Sequence, residues 1–95
     1  MKRVQRKRTP GFHLPPNTVC ISRGTRFGNR HKIEGDVTRE IAIQLFKEDC
    51  ETMSEIDQRV WLEPFHGKDF VACFCGLDEA CHGDYLIELC ERLGI

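Results

Sequence analysis

The sequence has 95 residues, of which 40% are hydrophobic and 31% charged, so it is long enough for one domain and too apolar for a disordered chain. No apolar run reaches the length of a membrane span, and the charged N-terminus lacks the apolar stretch of a signal peptide. We therefore predict a single domain over residues 1–95, located in the cytoplasm and without a membrane partner.

The formal net charge of -1 conceals an uneven distribution along the chain. Residues 1–32 carry nine of the 14 lysines and arginines and no acidic residue, whereas residues 33–95 carry all 15 acidic residues. A segment this basic favours a partner that bears phosphate groups, such as a nucleic acid or a phosphorylated small molecule. The alternative is a solvated basic tail that packs near an acidic face.

The first part of the chain predicts a basic arm and one strand. Residues 1–8 form either an edge strand or a loose arm. Residues 19–23 are β-prone and bounded by turn residues, which is typical of a short strand.

Two helices follow. Thr38 can cap the first, and Ser54 opens a second, shorter one with Ile56 and Val60 four residues apart. The apolar residues of the first helix fall on one helical face: Ile41, Ala42, Leu45 and Phe46.

A buried strand and a last helix end the chain. Residues 69–75 are a nearly continuous apolar run, which is typical of a strand buried on both faces of a parallel sheet. The last helix starts near residues 83–84, and Gly94 stands where a C-cap belongs.

This order of elements predicts an α/β fold. We expect a small sheet of two to three mainly parallel strands with about three helices, which a bound metal could stabilise. Ligands of parallel sheets bind beyond the carboxyl ends of the strands. The residues that follow the two strands should therefore share one site.

A Cys/His motif provides the strongest chemical signal in the sequence. It consists of Cys73, Cys75, Cys81 and His82, and zinc in proteins takes four nitrogen or sulfur ligands. Clustered cysteines in a reduced compartment favour metal or thiol chemistry over disulfides. The alternatives are a reactive thiol without metal, for which Cys81, His82 and Asp84 are the catalytic candidates, and cysteines that are only small buried side chains.

The loop over residues 23–29, here called the arginine loop, is the second candidate site. Its glycines, Gly24 and Gly28, allow backbone N–H groups to approach a ligand, and its arginines, Arg23 and Arg26, can bind a phosphate or carboxylate, with Asn29 beside them. An ordinary surface loop explains these residues about as well.

The sequence resembles an uncharacterised family of small domains that is common in bacteriophages and bacteria and is classed as domain of unknown function 4326. The resemblance covers residues 19–29, 38–40, 67–75 and 81–84, where the last range reads Cys-His-Gly-Asp. The family usually has Pro where this chain has Arg30. The resemblance implies that the arginine loop and the Cys/His motif form one shared site, and it supplies no activity.

Three functions are compatible with these features. The favoured one is a zinc-type binding domain that holds a nucleic acid, a nucleotide or another phosphorylated ligand. The second is a small enzyme of nucleotide or base metabolism that uses the Cys/His motif and the arginine loop. The third is a host-interaction protein with structural cysteines, located in the host cytoplasm if the chain is phage-encoded.

Overall fold

A computed structural model describes the whole chain, residues 1–95. It contains one sheet, three α-helices and one 3₁₀ turn. The strands are β1 (Lys2–Gln5), β2 (Thr18–Cys20) and β3 (Phe70–Cys73). The helices are α1 (Arg39–Glu51), α2 (Glu55–Trp61) and α3 (His82–Leu93), and the 3₁₀ turn covers Glu63–Phe65. These elements confirm the predicted small α/β fold.

The sheet has the strand order β1-β3-β2, and both pairs are parallel. β3 lies in the centre, and its Val71 and Ala72 are fully buried, as its apolar sequence predicts. The register aligns Lys2 and Thr18 with Phe70. All three strands therefore end at the same edge of the sheet, and residues 2–5 of the N-terminal arm are an edge strand.

The two strands predicted over residues 19–23 and 69–75 are both shorter in the structure. After β2, the Ile21 N–H still donates to the Ala72 carbonyl, but the Ser22 carbonyl then accepts from the Thr25 N–H and closes a turn. β3 ends at Cys73, whose carbonyl accepts the last ladder bond from Arg6. Local turn hydrogen bonds thus replace the ladder at the carboxyl edge, where the chain leaves the sheet.

The helices begin at the predicted caps. The Thr38 hydroxyl accepts from the Ile41 N–H and the Ser54 hydroxyl from the Asp57 N–H, while Gly94 ends α3 with a positive φ of 74°. α3 starts at His82, one residue before the predicted position.

The predicted apolar faces of the first two helices are only partly correct. Ala42 and Phe46 are buried, but Ile41 is exposed, as are Ile56 and Val60. Gln58 occupies the inner face of α2 because its side chain donates to the Cys50 carbonyl at 2.9 Å. A hydrogen bond thus selects the face that a seven-residue helix presents to the core.

One core lies between the sheet and the helices, and no buried side-chain nitrogen or oxygen lacks a hydrogen-bond partner. None of the helices has the length and apolar character needed to cross a bilayer. The largest fully buried side chains come from β3, α3 and the connections: Phe65, Ile21, Leu62, Leu86, Leu89 and Val71.

Candidate metal centre

A cleft of about 390 Å³ opens at the carboxyl edge of the sheet. It lies where residues that follow β2 and β3 meet the first turn of α3, as expected for a parallel sheet. Its lining brings together Arg23, Asn29, Cys73, Cys75, Cys81 and His82, and it also includes Arg8, Ser22, Arg39, Phe74 and Glu79. Most residues of the two predicted motifs therefore face one space.

The cysteine cluster, Cys73, Cys75 and Cys81, lines one part of this cleft. Their sulfur atoms all lie within 4.8 Å of one another. Cys73 ends β3, Cys75 follows two residues later, and Cys81 is the N-cap of α3, where its sulfur accepts from the Gly83 N–H at 3.4 Å. These three sulfurs are close enough to hold a metal ion.

The environment of the cluster favours a thiolate at Cys73 and a protonated thiol at Cys81. The sulfurs of Cys73 and Cys81 are 3.0 Å apart. The hydrogen bond with Cys81 lowers the pKa of the Cys73 thiol to about 6, although burial opposes this shift, and the same bond and burial raise the pKa of Cys81. The Arg39 guanidinium donates to the Cys75 sulfur at 3.5 Å. Deprotonated cysteine is the form that binds metals.

His82 does not join the three sulfurs. Its Nε2 lies 2.7 Å from the Ile21 carbonyl and 3.1 Å from the Phe27 carbonyl. Carbonyls only accept, so Nε2 carries the proton, and burial lowers the pKa of the ring and keeps it neutral. Nδ1 then has the free lone pair, 3.7 Å from the Cys81 sulfur. Because Ile21 follows β2 and Phe27 belongs to the arginine loop, these two hydrogen bonds connect both segments to α3.

The arginine loop, residues 23–29, contributes two residues to the cleft. Arg23 donates to the carbonyls of Asn29 and His31. The Asn29 side chain donates to the Ala42 carbonyl at 2.9 Å and accepts from the His31 N–H at 3.0 Å. Arg23 therefore holds the loop closed while lining the cleft, and Asn29 anchors the loop to α1.

Three other residues of this loop lie outside the cleft. Gly24 allows a turn with a φ of 92°, and Gly28 packs against the backbone of Ser22. Arg26 lies over the Phe27 ring and donates to the Trp61 carbonyl at 3.5 Å, in a separate shallow groove. The geometry thus supports Arg23, but not Arg26, as a partner of the cysteine cluster.

Asp84 also lies apart from the cleft lining. Its carboxylate accepts from Arg3 Nε at 3.1 Å, and the remaining guanidinium nitrogens of Arg3 donate to the carbonyls of Gly76, Leu77 and Glu79. Asp84 therefore pairs β1 with the first turn of α3, the position where the helix dipole favours a carboxylate.

Two arginines of the cleft were not singled out by the sequence analysis. Arg39, in the first turn of α1, contacts Cys75, the Ala80 carbonyl and the Glu79 carboxylate. Arg8, in the N-terminal arm, stacks on the Phe74 ring at 4.1 Å. The available signals were the position of Arg39 after the cap Thr38 and the general basicity of the arm. Neither signal points to one particular side chain.

The fold and the cleft define a small α/β domain with a parallel sheet and a cysteine cluster able to hold a metal. The chain belongs to the family described as Domain of unknown function (DUF4326), which it matches over residues 4–92. This range contains both the arginine loop and the cysteine cluster. No curated protein and no solved structure matches the chain.

Proposed function

We propose that this protein is a zinc-containing binding domain whose cleft takes a phosphate-bearing ligand, with a nucleotide as the ligand class. The observation that carries the proposal is the convergence of three cysteine sulfurs and three arginines, Arg8, Arg23 and Arg39, on one cleft. Thiolates select soft metals, and zinc is the one that needs no redox chemistry or special geometry.

The sulfur positions are compatible with zinc. Zinc–sulfur bonds of about 2.3 Å place the sulfurs of a tetrahedral site about 3.8 Å apart. The Cys73 and Cys81 sulfurs, 3.0 Å apart, would have to open by less than about 1 Å. Because Cys81 caps α3 and Cys75 lies beyond β3, one ion would connect the central strand to the last helix.

The charges in the cleft favour an anion. Neither Arg8 nor Arg23 forms an ion pair with a carboxylate, whereas Arg39 is paired with Glu79. Arginines without acidic partners in a concave site are typical of phosphate binding. The volume of about 390 Å³ lies in the usual range for small-molecule pockets, which favours a nucleotide over a duplex nucleic acid.

Calorimetric titration of the zinc-loaded full chain with a nucleoside triphosphate tests this proposal. The Arg8→Gln variant should bind about tenfold more weakly, or weaker still, because a hydrogen bond to a charged group contributes about 1.5–3 kcal/mol. Arg8 donates no hydrogen bond to the protein, so its loss should leave the fold intact. Arg92→Gln, which removes the same charge outside the cleft, is the matched control.

The affinity of the wild-type protein should also fall as salt is added. Absence of binding to nucleoside triphosphate at low salt would overturn the proposed ligand class. Equal losses in the Arg8 and Arg92 variants would show that the cleft is not the binding site. Tighter binding of single-stranded DNA than of the nucleotide would instead assign the ligand to the nucleic acids.

A second candidate, a small thiol enzyme acting on the same ligand class, is favoured by the 3.7 Å contact between His82 Nδ1 and the Cys81 sulfur. In that case His82 accepts the thiol proton, the Cys81 sulfur attacks the terminal phosphorus of a nucleoside triphosphate, and the P–O bond to the nucleoside diphosphate breaks, with the proton returned to the departing diphosphate or to water. Metal-free protein incubated with a nucleoside triphosphate should then carry a phosphoryl group on Cys81, detected by mass spectrometry, and the zinc-loaded protein should not. The reduced cysteine cluster is typical of a cytoplasmic protein. For a phage-encoded chain this would be the cytoplasm of the host. Both the location and the phage origin stay predictions.

A further inference from the structure

The cysteine cluster supplies one ligand fewer than zinc requires. Zinc takes four ligands in a closed structural site, and three protein ligands with one open position in a catalytic site. No fourth cysteine, histidine, aspartate or glutamate brings a ligand atom within 4.8 Å of all three sulfurs. The sequence-based candidate, His82, has its free Nδ1 3.7 Å from the Cys81 sulfur, but this nitrogen is not within 4.8 Å of all three sulfurs.

The cluster is accessible from the ligand side. Cys73, Cys75 and Cys81 all contribute to the lining of the cleft, together with the arginines that face it. Cys73 and Cys81 are buried, and Cys75 is partly exposed. A ligand in the cleft therefore lies next to the cluster rather than behind a protein wall.

We propose that the fourth coordination position of the metal opens on the cleft and is taken by a phosphate oxygen of the bound ligand. This inference rests on the proposed function, because it needs both the metal and the anion. In the free protein a water molecule holds the position, and binding exchanges one water for one phosphate oxygen. The metal then binds the ligand directly, and its Lewis acidity polarises that oxygen.

The charge balance supports this arrangement. A zinc ion with three thiolates carries one net negative charge, which by itself repels phosphate. Arg39 offsets this at the cluster, since its guanidinium lies 3.5 Å from the Cys75 sulfur. Arg8 and Arg23 line the same cleft without carboxylate partners, so the site as a whole remains positive. The arginines thus allow an anion to approach a thiolate-bound metal.

Cobalt substitution of the full chain gives a direct test, with inorganic phosphate as the probe. Co²⁺ bound by the cluster should show sulfur-to-cobalt charge-transfer bands and the intense d–d bands of a four-coordinate site. Addition of phosphate should shift the d–d bands in a saturable way. Arg8→Gln should raise the half-saturating phosphate concentration several-fold, and Arg92→Gln should leave it unchanged.

The rival arrangement has His82 as the fourth ligand. His82→Gln removes Nδ1 but retains an N–H donor that can reach the same two carbonyls, so we expect its cobalt spectrum to match that of the wild type. A changed cobalt spectrum in this variant would overturn the inference. X-ray absorption of the wild-type zinc protein distinguishes the two arrangements without a variant. Three sulfurs and one oxygen around the zinc support the inference, and an imidazole in the ligand shell contradicts it.

The possible failures are distinguishable. If the chain binds no cobalt, the metal centre of the proposed function fails and this inference fails with it. If cobalt binds, and calorimetry detects phosphate binding without any change in the d–d bands, the proposed function stands and only the open position is refuted.

Discussion

Replacement of Gly28 by alanine should destabilise the protein, because there is no room for a methyl group at this position. An alanine Cβ would lie 2.7 Å from the Ser22 carbonyl oxygen, 3.0 Å from the Arg23 Cα and 3.2 Å from the Ser22 carbonyl carbon. All three are backbone atoms, so no side-chain rotation can relieve the contact. The loop that carries Arg23 would have to move.

The size of the effect follows from what holds that backbone in place. The Ser22 carbonyl accepts from both the N–H and the hydroxyl of Thr25, at 3.1 and 2.8 Å. Forcing an extra methyl into packed surroundings costs about 1–3 kcal/mol. In urea unfolding this appears as a lower midpoint at unchanged slope. In a domain of this size the Tm falls by about 4–8 °C for each kcal/mol.

Gly76→Ala is the comparison variant. Its Cβ would also meet close neighbours, Asp78 Oδ1 at 2.8 Å and Glu79 Oε1 at 3.1 Å. These are the ends of exposed side chains, which can move by a few tenths of an ångström, although Glu79 Oε1 then weakens its hydrogen bond from the Gly76 N–H. Its free energy of unfolding should therefore fall by less than that of Gly28→Ala, by up to about 1 kcal/mol, the usual worth of one exposed hydrogen bond. If Gly28→Ala is as stable as Gly76→Ala, with both proteins loaded with the same metal, the close packing of the loop on Ser22 is refuted.

Three further predictions concern the rest of the domain. The pKa of Asp49 is lowered to about 2, chiefly by its hydrogen bonds from Arg30. The bonded carboxylate therefore stabilises the fold above its unfolded pKa near 4, and this contribution is lost as the pH falls towards 2. Acid unfolding of Asp49→Asn should vary less with pH across that window, and identical profiles would refute the assignment. Phe65→Ala should cost about 3–5 kcal/mol in urea unfolding, because Phe65 is fully buried. Ile56→Ala, on an exposed face, should change stability by less than about 0.5 kcal/mol, and similar losses in both variants would contradict the described core. Burial raises the pKa of the Cys50 thiol to about 12 and that of Cys90 to about 11, so mass spectrometry should find both unmodified after brief alkylation of the native protein near neutral pH. Rapid modification of either would show that the helices open readily.

The architecture could be predicted because its main features depend on local patterns. The apolar run over residues 69–75 predicts the buried central strand, and the helices between it and the strand near Val19 favour a parallel pair. The sequence alone did not determine whether residues 2–5 form a strand. Residues 2–5 are mostly charged or polar, and only pairing with β3, together with the Arg3 contacts, distinguishes this edge strand from a loose arm.

The cysteines of the site could be predicted from the sequence, but the contact of Arg39 with them could not. Cys73, Cys75 and Cys81 are close in sequence, so their spacing alone brings them together. Arg39 reaches them from α1 across a long sequence separation, and no local pattern encodes that contact.

The adjacency of Cys81 and His82 predicts that both belong to one ligand set, whereas only Cys81 lies within 4.8 Å of the other two sulfurs. At the start of α3 successive side chains point in different directions, and the two carbonyls at Ile21 and Phe27 fix the imidazole of His82. Sequence spacing cannot report on those acceptors, because they belong to backbone brought close only by the fold.

The metal content of the purified full chain, measured by native mass spectrometry, tests the central claim most directly. The proposal predicts about one zinc per chain, retained by Cys90→Ser, whose sulfur lies outside the cluster, and lost from Cys75→Ser, whose partly exposed position should tolerate the change without unfolding. A chain that binds no metal after zinc is supplied, or a Cys75→Ser variant that keeps its zinc as firmly as Cys90→Ser, would contradict it.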